Sequence, residues 1–145
     1  MASPRHREIA CAILIDTLGR LLLQQRDDIP GIMFPGWIGL FGGHREGTET
    51  FLECVVREIH EEISYYVPPE RFEFLARHDG VDPEVEIGTV RSEFYVARDI
   101  PVDDLIVTEG ALIIAKPREL VAIESRFTPT LSFAVSAFLK GHSLR

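Results

Sequence analysis

One apolar stripe constrains the fold of this chain more than any other feature. Its members recur at positions i, i+3, i+4, i+7 and i+11: Leu52, Val55, Val56, Ile59 and Ile63. This spacing is typical of one face of an α-helix. With Glu58 placed at zero and about 100° per residue, the stripe covers roughly 60° to 160° of the helical wheel. We therefore expect an amphipathic helix with Thr48 as its N-cap and its end near Ser64.

Apolar, β-rich segments lie on both sides of this helix. Residues 8–16 and 20–26 form a predicted hairpin around Thr17-Leu18-Gly19, whose length and composition suit a tight connection. Loops are predicted over 27–36, 43–47 and 79–84, further strands over 37–41, 72–78, 86–98, 105–107 and 111–115, and helices over 117–123 and 128–139. The order predicts a mixed α/β fold, and without a repeat or linker we expect a single domain over residues 1–145.

Composition narrows the class of protein further. The longest wholly apolar run, residues 9–15, is far shorter than the roughly 20 residues that a membrane-spanning helix needs. The first residues place basic side chains before this run but lack a cleavage pattern, so they predict a first strand and not an export signal. Cys11 and Cys54 provide neither a disulfide framework nor zinc spacing. We therefore expect a cytoplasmic protein that does not bind membranes.

The predicted helix carries an unusual group of carboxylates. Glu58, Glu61 and Glu62 fall at about 0°, −60° and 40° on the wheel, beside the apolar stripe and not opposite it. A purely solvated acidic face would lie opposite the stripe. Like charges three and four residues apart cost a few tenths of a kcal/mol per pair, so a cation should compensate them.

A hard divalent cation suits this arrangement. Mg²⁺ prefers oxygen ligands, binds through one or a few carboxylates and leaves positions for water and phosphates. It would let a chain with a net charge of −8 bind an anionic phosphate, although this charge argues against broad binding to nucleic acid. Arg57, near −100°, either braces these acids or forms a surface ion pair that contributes little. The residues thus predict metal-assisted hydrolysis of a phosphoanhydride.

Residues 43–65 read GHREGTETFLECVVREIHEEISY. This segment resembles the Nudix box, G-x5-E-x7-R-E-U-x-E-E-x-G-U, in which U is a bulky apolar residue. The matching positions are Gly43, Glu49, Arg57, Glu58, Ile59, Glu61 and Glu62. Six fixed residues, each drawn at about 7% frequency, would match by chance on the order of 10⁻⁵ times per chain. Ser64 replaces the late glycine of the box, which affects the helix exit and not the preceding acids.

The resemblance implies a fold and an activity. The fold is the Nudix α/β/α sandwich, a mixed β-sheet between helices in which the box forms a loop-helix element at the active site. The activity is hydrolysis of a nucleoside diphosphate linked to another group, with Mg²⁺ or, as a substitute, Mn²⁺. The flanking segments LLLQQR and WIGLFGGH and the later Glu109-Gly110 resemble the MutT-like branch, which favours a nucleoside triphosphate as substrate.

The resemblance also assigns roles to residues. The metal ligands it implies are Glu58, Glu61, Glu62 and the carbonyl group of Gly42. The general base is Glu62 or Glu109, with Glu109 as a further metal ligand in some members. Arg26 matches an arginine that contacts phosphate, although a strand-end arginine is often merely solvated.

Several alternatives stay open at this point. The substrate could instead be ADP-ribose or a nucleotide sugar, or the domain could bind nucleotides without catalysis. An isopentenyl-diphosphate isomerase shares the fold, and an acidic docking surface would need no enzyme at all. The partner is therefore a small nucleotide, nucleic acid is disfavoured, and a homodimer is left open. Trp37 is expected in the core, Cys54 is expected to be buried, and His60 should point away from the acids.

Overall fold

Strand β1 (Arg5–Asp16) runs through the middle of the protein, whose computed structural model describes residues 4–141. Its side chains from residue 9 to residue 15 alternate between two buried clusters, one on each face of the sheet. Alternation of this kind follows from the pleat of a strand. The uninterrupted apolar run in the sequence therefore reflects a strand that is buried on both faces.

The remaining elements follow β1 in an order close to the one predicted. The strands are β2 (Leu21–Gln25), β3 (Ile38–Gly39), β4 (Phe41–His44), β5 (Phe72–Val81), β6 (Gly88–Ile100) and β7 (Ala111–Ala115). The helices are α1 (Phe51–Ile63), α2 (Leu120–Ile123) and α3 (Pro129–Gly141). Single 3-10 turns lie at Pro69–Arg71, Val102–Asp104, Pro117–Glu119 and Glu124–Arg126.

The sheet is mixed. Its main path runs β3-β2-β1-β6-β5, with β4 paired to β1 and β7 paired to β2. β1 and β6 are parallel, whereas the other strand pairs are antiparallel. The register that matters most for the site places Cys11 opposite Gly42 and Ala10 opposite Gly43.

Helices cover both faces of the sheet. α1 buries Cys54, Val55, Ile59 and Ile63 against the face formed by Ala10, Ala12, Leu14, Leu22 and Phe41. α3 buries Leu131, Ala134, Val135 and Phe138 against the opposite face. The α/β/α sandwich with a mixed sheet is therefore confirmed. Within residues 4–141 no helix is long and apolar enough to cross a membrane.

The start of α1 differs from the prediction. The N-cap is Thr50 and not Thr48, since the Thr50 hydroxyl accepts the backbone N–H of Glu53 at 3.0 Å. The Glu53 carboxylate accepts the Thr50 backbone N–H at 2.8 Å in return. This reciprocal pair is a capping box, and the T-x-x-E spacing in the sequence would have found it.

Residues 105–107 are not a strand. The backbone N–H groups of Ile106 and Thr108 donate to the carbonyls of Ile63 and Glu62, at 3.0 and 2.9 Å. The last carbonyls of a helix lack partners within the helix, so this segment satisfies them in place of a neighbouring strand. The strand predicted over 105–107 is therefore wrong, since the backbone of this segment pairs with the end of α1.

Smaller differences concern the ends of strands. The predicted strand over 37–41 is divided into β3 and β4, so Gly43 and His44 belong to a strand and not to a loop. β5 continues to Val81, into the turn predicted over 79–84. The final helix extends to Gly141, and the ends of the predicted single domain, residues 1–3 and 142–145, lie outside the described residues.

Candidate active site

Two carboxylates of α1 lie directly against the glycines of β4. The Glu62 carboxylate accepts the backbone N–H of Gly42 at 2.7 Å. The Glu58 carboxylate lies so close to Gly43 that a Cβ atom there would stand 2.4 Å from Glu58 Cδ. Only a residue without a side chain leaves this space, which explains the Gly-Gly pair before the helix. The predicted ligands Glu58 and Glu62 and the backbone of Gly42 are thus brought together.

Glu61 lies on the outer side of this group. Its side chain is 58% exposed, against 17% for Glu58. Its carboxylate oxygens are each 3.4 Å from Arg57 Nη1, which is a weak contact. Glu61 is therefore free to turn toward a ligand at the mouth of the site.

Arg57 is the cation that organises the acids. Its Nε and Nη2 donate to the two carboxylate oxygens of Glu49 at 2.9 and 2.7 Å, a bidentate pair. Its Nη1 donates to Glu58 at 2.9 Å, and Nη2 also reaches the carbonyl of His44 at 3.1 Å. The closest of its carboxylate partners is Glu49, which precedes α1, and not one of the three acids on the helix. Arg57 therefore braces the loop before α1 and holds Glu58 in place.

The pairing with Arg57 acts on the ionisation of Glu49. Hydrogen bonds from the guanidinium lower the pKa of Glu49 to about 2, against the opposing effect of burial. The Glu49 carboxylate also accepts the backbone N–H of Glu46 at 2.8 Å. Sequence reasoning assigned Glu49 no role beyond its match to the box. The structure makes it the anchor of Arg57.

Glu62 is the most buried acid of the group, with 6% of its surface exposed. Burial raises its pKa to about 8, and a hydrogen-bond contact with the Glu109 carboxyl and the charge of Glu58 act in the same direction. The Gly42 N–H opposes this shift only in part. Without a bound cation, the site therefore favours the protonated form of Glu62 near neutral pH.

Glu109 reaches this place because its loop is tied down at several points. Gln24 Nε2 donates to the carbonyl of Glu109 at 2.9 Å, and the Thr108 hydroxyl donates to the carbonyl of Glu61 at 3.0 Å. Gly110 has φ of +69°, and a Cβ there would be 2.4 Å from the Gln25 carbonyl oxygen. Glycine is thus required for the close approach of this loop to β2. Gln24 and Thr108 were missed by the sequence analysis.

An acidic cavity of about 240 Å³ connects these groups, lined by residues that include Gln24, Arg26, Gly42, Glu62 and Glu109. Arg26 Nε donates to the carbonyl of Met33 at 2.7 Å, which fixes the guanidinium at the edge of the cavity. The structure therefore brings Arg26 and Glu109 to the same cavity as Glu62.

Trp37, Cys54 and His60, which the sequence analysis also considered, lie outside this group of acids. Trp37 is 38% exposed and packs on Phe34 at 5.3 Å between ring centroids, so the expectation of a core tryptophan is wrong. Cys54 is fully buried, as expected. His60 is exposed and contacts the Tyr66 ring at 5.6 Å, away from the acids.

The carboxylates of Glu58, Glu61 and Glu62 do not converge on a single point in this structure. Among residues 4–141 no set of three or more His, Cys, Asp or Glu side chains is arranged to hold a metal ion. The positions of the individual acids explain this, since Glu58 is paired with Arg57, Glu62 is bonded to Gly42, and Glu61 points outward. All of these are oxygen donors, the type that Mg²⁺ and Mn²⁺ prefer.

Comparison with solved structures places the fold. A MutT protein from Methanosarcina mazei Go1 is similar with a TM-score of 0.79 and 15% identity, over 99% of each chain. A MutT Nudix hydrolase from Burkholderia pseudomallei gives a TM-score of 0.71 and 23% identity, over 92% of this chain and 98% of that one. No curated protein matches the sequence.

A third similar structure is larger than this chain. It is a bifunctional NMN adenylyltransferase/ADP ribose pyrophosphatase from Francisella tularensis, complexed with AMP and a Mn ion. The TM-score is 0.74 at 16% identity, over 97% of this chain and 43% of that one. Identities this low show the shared fold alone.

The family is shown by the sequence itself. The family model of the NUDIX domain matches residues 4–136, which is nearly the whole chain and includes every residue of the site. The chain therefore belongs to the Nudix family, and its enzyme class is that of the Nudix pyrophosphohydrolases.

Proposed function

We propose that this enzyme hydrolyses a phosphoanhydride bond of a nucleoside triphosphate, with Mg²⁺ as its cofactor, and releases a nucleoside monophosphate and pyrophosphate. The observation that carries the proposal is the placement of Glu62 against Gly42 and of Glu58 against Gly43, with Glu62, Arg26 and Glu109 lining one cavity. Such a site combines several carboxyl groups, an arginine at the edge of the cavity and room for phosphates.

The acids suit a divalent cation. Glu62 is buried, its pKa is raised by burial, and the charges of Glu58 and Glu109 act on it. Within residues 4–141, Arg57 is the only cation that forms an ion pair with one of these three acids. Glu58, Glu61, Glu62 and the Gly42 carbonyl would hold Mg²⁺, or Mn²⁺ in its place. When bound, the ion neutralises phosphate oxygens and lowers the pKa of an attacking water.

The side chains have distinct parts in the reaction. One carboxylate of the pair Glu62 and Glu109 accepts the proton of the water that attacks phosphorus, since both border the acidic cavity. The bond from phosphorus to the bridging oxygen then breaks, and the leaving phosphate departs with that oxygen. Arg26 contacts the phosphates, and Arg57 keeps Glu58 oriented through its bond at 2.9 Å.

The alternatives differ in the group beyond the diphosphate. ADP-ribose and nucleotide sugars present the same reacting bond, and a domain that only binds nucleotide would use the same contacts without turnover. A small nucleotide remains the partner in each case. The cytoplasmic location and a homodimer stay predictions.

A phosphate-release assay tests the proposal. Nucleoside triphosphates are incubated with Mg²⁺, with and without inorganic pyrophosphatase. ADP-ribose, nucleotide sugars and diadenosine polyphosphates are incubated with Mg²⁺ and alkaline phosphatase, which releases phosphate from phosphomonoester products. We expect a signal on a triphosphate that depends on pyrophosphatase and is abolished by EDTA. Activity only on ADP-ribose, a nucleotide sugar or a diadenosine polyphosphate would show that the substrate is a linked diphosphate and not a triphosphate. No activity on the whole panel would contradict catalysis.

Matched variants on α1 separate chemistry from folding. Glu61→Gln removes an exposed carboxylate with little structural cost and should lower turnover by orders of magnitude. Glu53→Gln makes the same change of charge on the same helix, and glutamine also serves at this capping-box position. We expect Glu53→Gln to retain full activity. Equal activity of both variants would refute the role assigned to Glu61.

A further inference from the structure

A second cavity lies next to the acidic one and is larger, with a volume of about 380 Å³. The two share a wall formed by Arg26, Ile32, Leu40 and Gly42. This inference rests on the proposed function, because phosphates held at the acids would direct the rest of a nucleotide across this wall. The larger cavity is therefore where the nucleoside of such a substrate would lie.

One end of the larger cavity carries a built polar group, Arg7 with Glu84. Arg7 donates through Nε and Nη2 to the two carboxylate oxygens of Asp82, at 2.6 and 2.9 Å. These two bonds leave the N–H groups of Nη1 as further donors. The Arg7 side chain is 10% exposed and that of Asp82 is fully buried. Arg7 is thus held rigidly at the cavity by a buried bidentate ion pair.

Glu84 is anchored in the same place from two directions. Its Oε2 accepts the backbone N–H of Thr130 at 3.1 Å, and its Oε1 lies 3.5 Å from Arg7 Nη2. An ionised carboxylate has about four acceptor sites, so each oxygen keeps one for a ligand. The Glu84 side chain is only 11% exposed, so a ligand that fills the cavity would shield these acceptor sites from water.

The rest of the lining is suited to a flat ring. Ile9, Ile32, Met33 and Leu40 provide apolar surface, and Phe34 provides an aromatic face. Phe34 has φ of +51°, an unfavourable backbone conformation for a bulky residue, and Trp37 packs against its ring. Strain of this kind persists where surrounding contacts hold a side chain in a set position.

We propose that the larger cavity binds the nucleobase and that Glu84 and Arg7 select a base with the guanine-type edge. That edge presents one acceptor, O6, beside two donors, N1–H and the 2-amino group. A carboxylate accepts from the two donors while a guanidinium donates to the acceptor. Adenine offers a single donor beside an acceptor on the corresponding edge, so one carboxylate oxygen would lose its partner.

Binding of nucleoside monophosphates to the metal-free protein tests this selection. Dissociation constants for GMP, IMP and AMP are measured by calorimetry in EDTA, which requires no turnover. IMP differs from GMP by the 2-amino group alone. Since a hydrogen bond to a charged group contributes about 1.5–3 kcal/mol, we expect GMP to bind at least about 10-fold more tightly than IMP or AMP.

A pair of isosteric variants assigns the effect to Glu84. Glu84→Gln keeps an oxygen for the Thr130 N–H but turns the other acceptor into a donor, so GMP affinity should fall about 10-fold or more while AMP affinity changes little. Glu86→Gln makes the same charge change at an exposed position two residues away and should leave all three affinities unchanged. Should Glu84→Gln fail to fold, the preference of the unaltered protein for GMP over IMP still decides.

The outcomes distinguish this inference from the proposed function. Equal affinities for GMP, IMP and AMP, or an unchanged GMP affinity in Glu84→Gln, would overturn the inference even if triphosphates are hydrolysed. A Glu84-dependent preference for GMP in a protein that hydrolyses no nucleotide would uphold the base site and contradict the proposed reaction.

Discussion

Replacing Gly43 with alanine would separate the geometry of the acids from the stability of the fold. The new Cβ would stand 2.4 Å from Glu58 Cδ and 2.6 and 2.7 Å from its carboxylate oxygens. Carbon atoms in contact lie about 3.5–4.0 Å apart, so the Glu58 carboxylate must move by about 1 Å or more. The obstacle is the end of a flexible side chain, which can move without the backbone.

The expected cost in stability is small. Moving Glu58 lengthens its bond from Arg57, and hydrogen bonds to charged groups contribute about 1.5–3 kcal/mol. Gly43 has no left-handed φ, so alanine offsets about 0.4–1 kcal/mol of this by restricting the unfolded chain. We expect a free energy of unfolding lower by about 1–2 kcal/mol, which lowers Tm by about 2–8 °C in a protein of this size.

The expected cost in activity is much larger. A displacement of about 1 Å in a reacting site can lower turnover 10²-fold. Turnover on the best triphosphate and the Mg²⁺ concentration for half-maximal rate are measured together with thermal unfolding. In a Glu58→Gln background, the Gly43 substitution should have no further effect on turnover, because the group it displaces is already inactive.

The adjacent Gly42 and the distant Gly141 provide controls. At Gly42, φ is +145° and a Cβ would meet the Ala10 carbonyl oxygen at 2.3 Å, so Gly42→Ala should prevent stable folding. Gly141→Ala meets nothing within 4 Å and should be silent. The reasoning is refuted if Gly43→Ala keeps normal turnover and Mg²⁺ dependence, or if it unfolds as Gly42→Ala does.

Three further substitutions test the surrounding structure. Ser64 ends α1 with φ of +57°, so Ser64→Gly should raise the free energy of unfolding by about 1 kcal/mol in chemical denaturation, whereas no gain would mean that the turn is unstrained. Glu49→Gln weakens the pair with Arg57 and should cost about 1–3 kcal/mol at pH 7. Because the folded pKa of Glu49 lies near 2, below its usual value of 4.5, the wild-type advantage should shrink as the pH falls from about 4.5 to 2; a pH-independent difference would contradict the assignment. Gln24→Glu removes the donor to the Glu109 carbonyl and should lower kcat about 10-fold or more with little change in KM. We also expect the pH–rate profile of this variant to change shape, and an unchanged shape would mean that Gln24 only supports the fold.

Features that depend on neighbours along the chain could be predicted from the sequence. The apolar spacing of α1 and the position of Glu58, Glu61 and Glu62 beside its buried face follow from helix geometry alone. The first strand was predicted from its uninterrupted apolar run, whereas its burial on both faces came from the structure. Where such predictions failed, as at Thr50 and residues 105–107, a capping box or the free carbonyls of a helix end outweighed residue propensity.

Features that join distant residues were decided only by the tertiary structure. Gln24 bonds to Glu109 across 85 positions, and Glu84 bonds to Thr130 across 46. Arg57 pairs most closely with Glu49 and not with an acid of its own helix, because the loop before α1 folds back over it. Periodicity reports only which face a residue occupies, whereas the contacts of that face depend on how the sheet and helices close around one another. For that reason the acids of α1 were visible in the sequence, while their braces and the adjoining cavity were not.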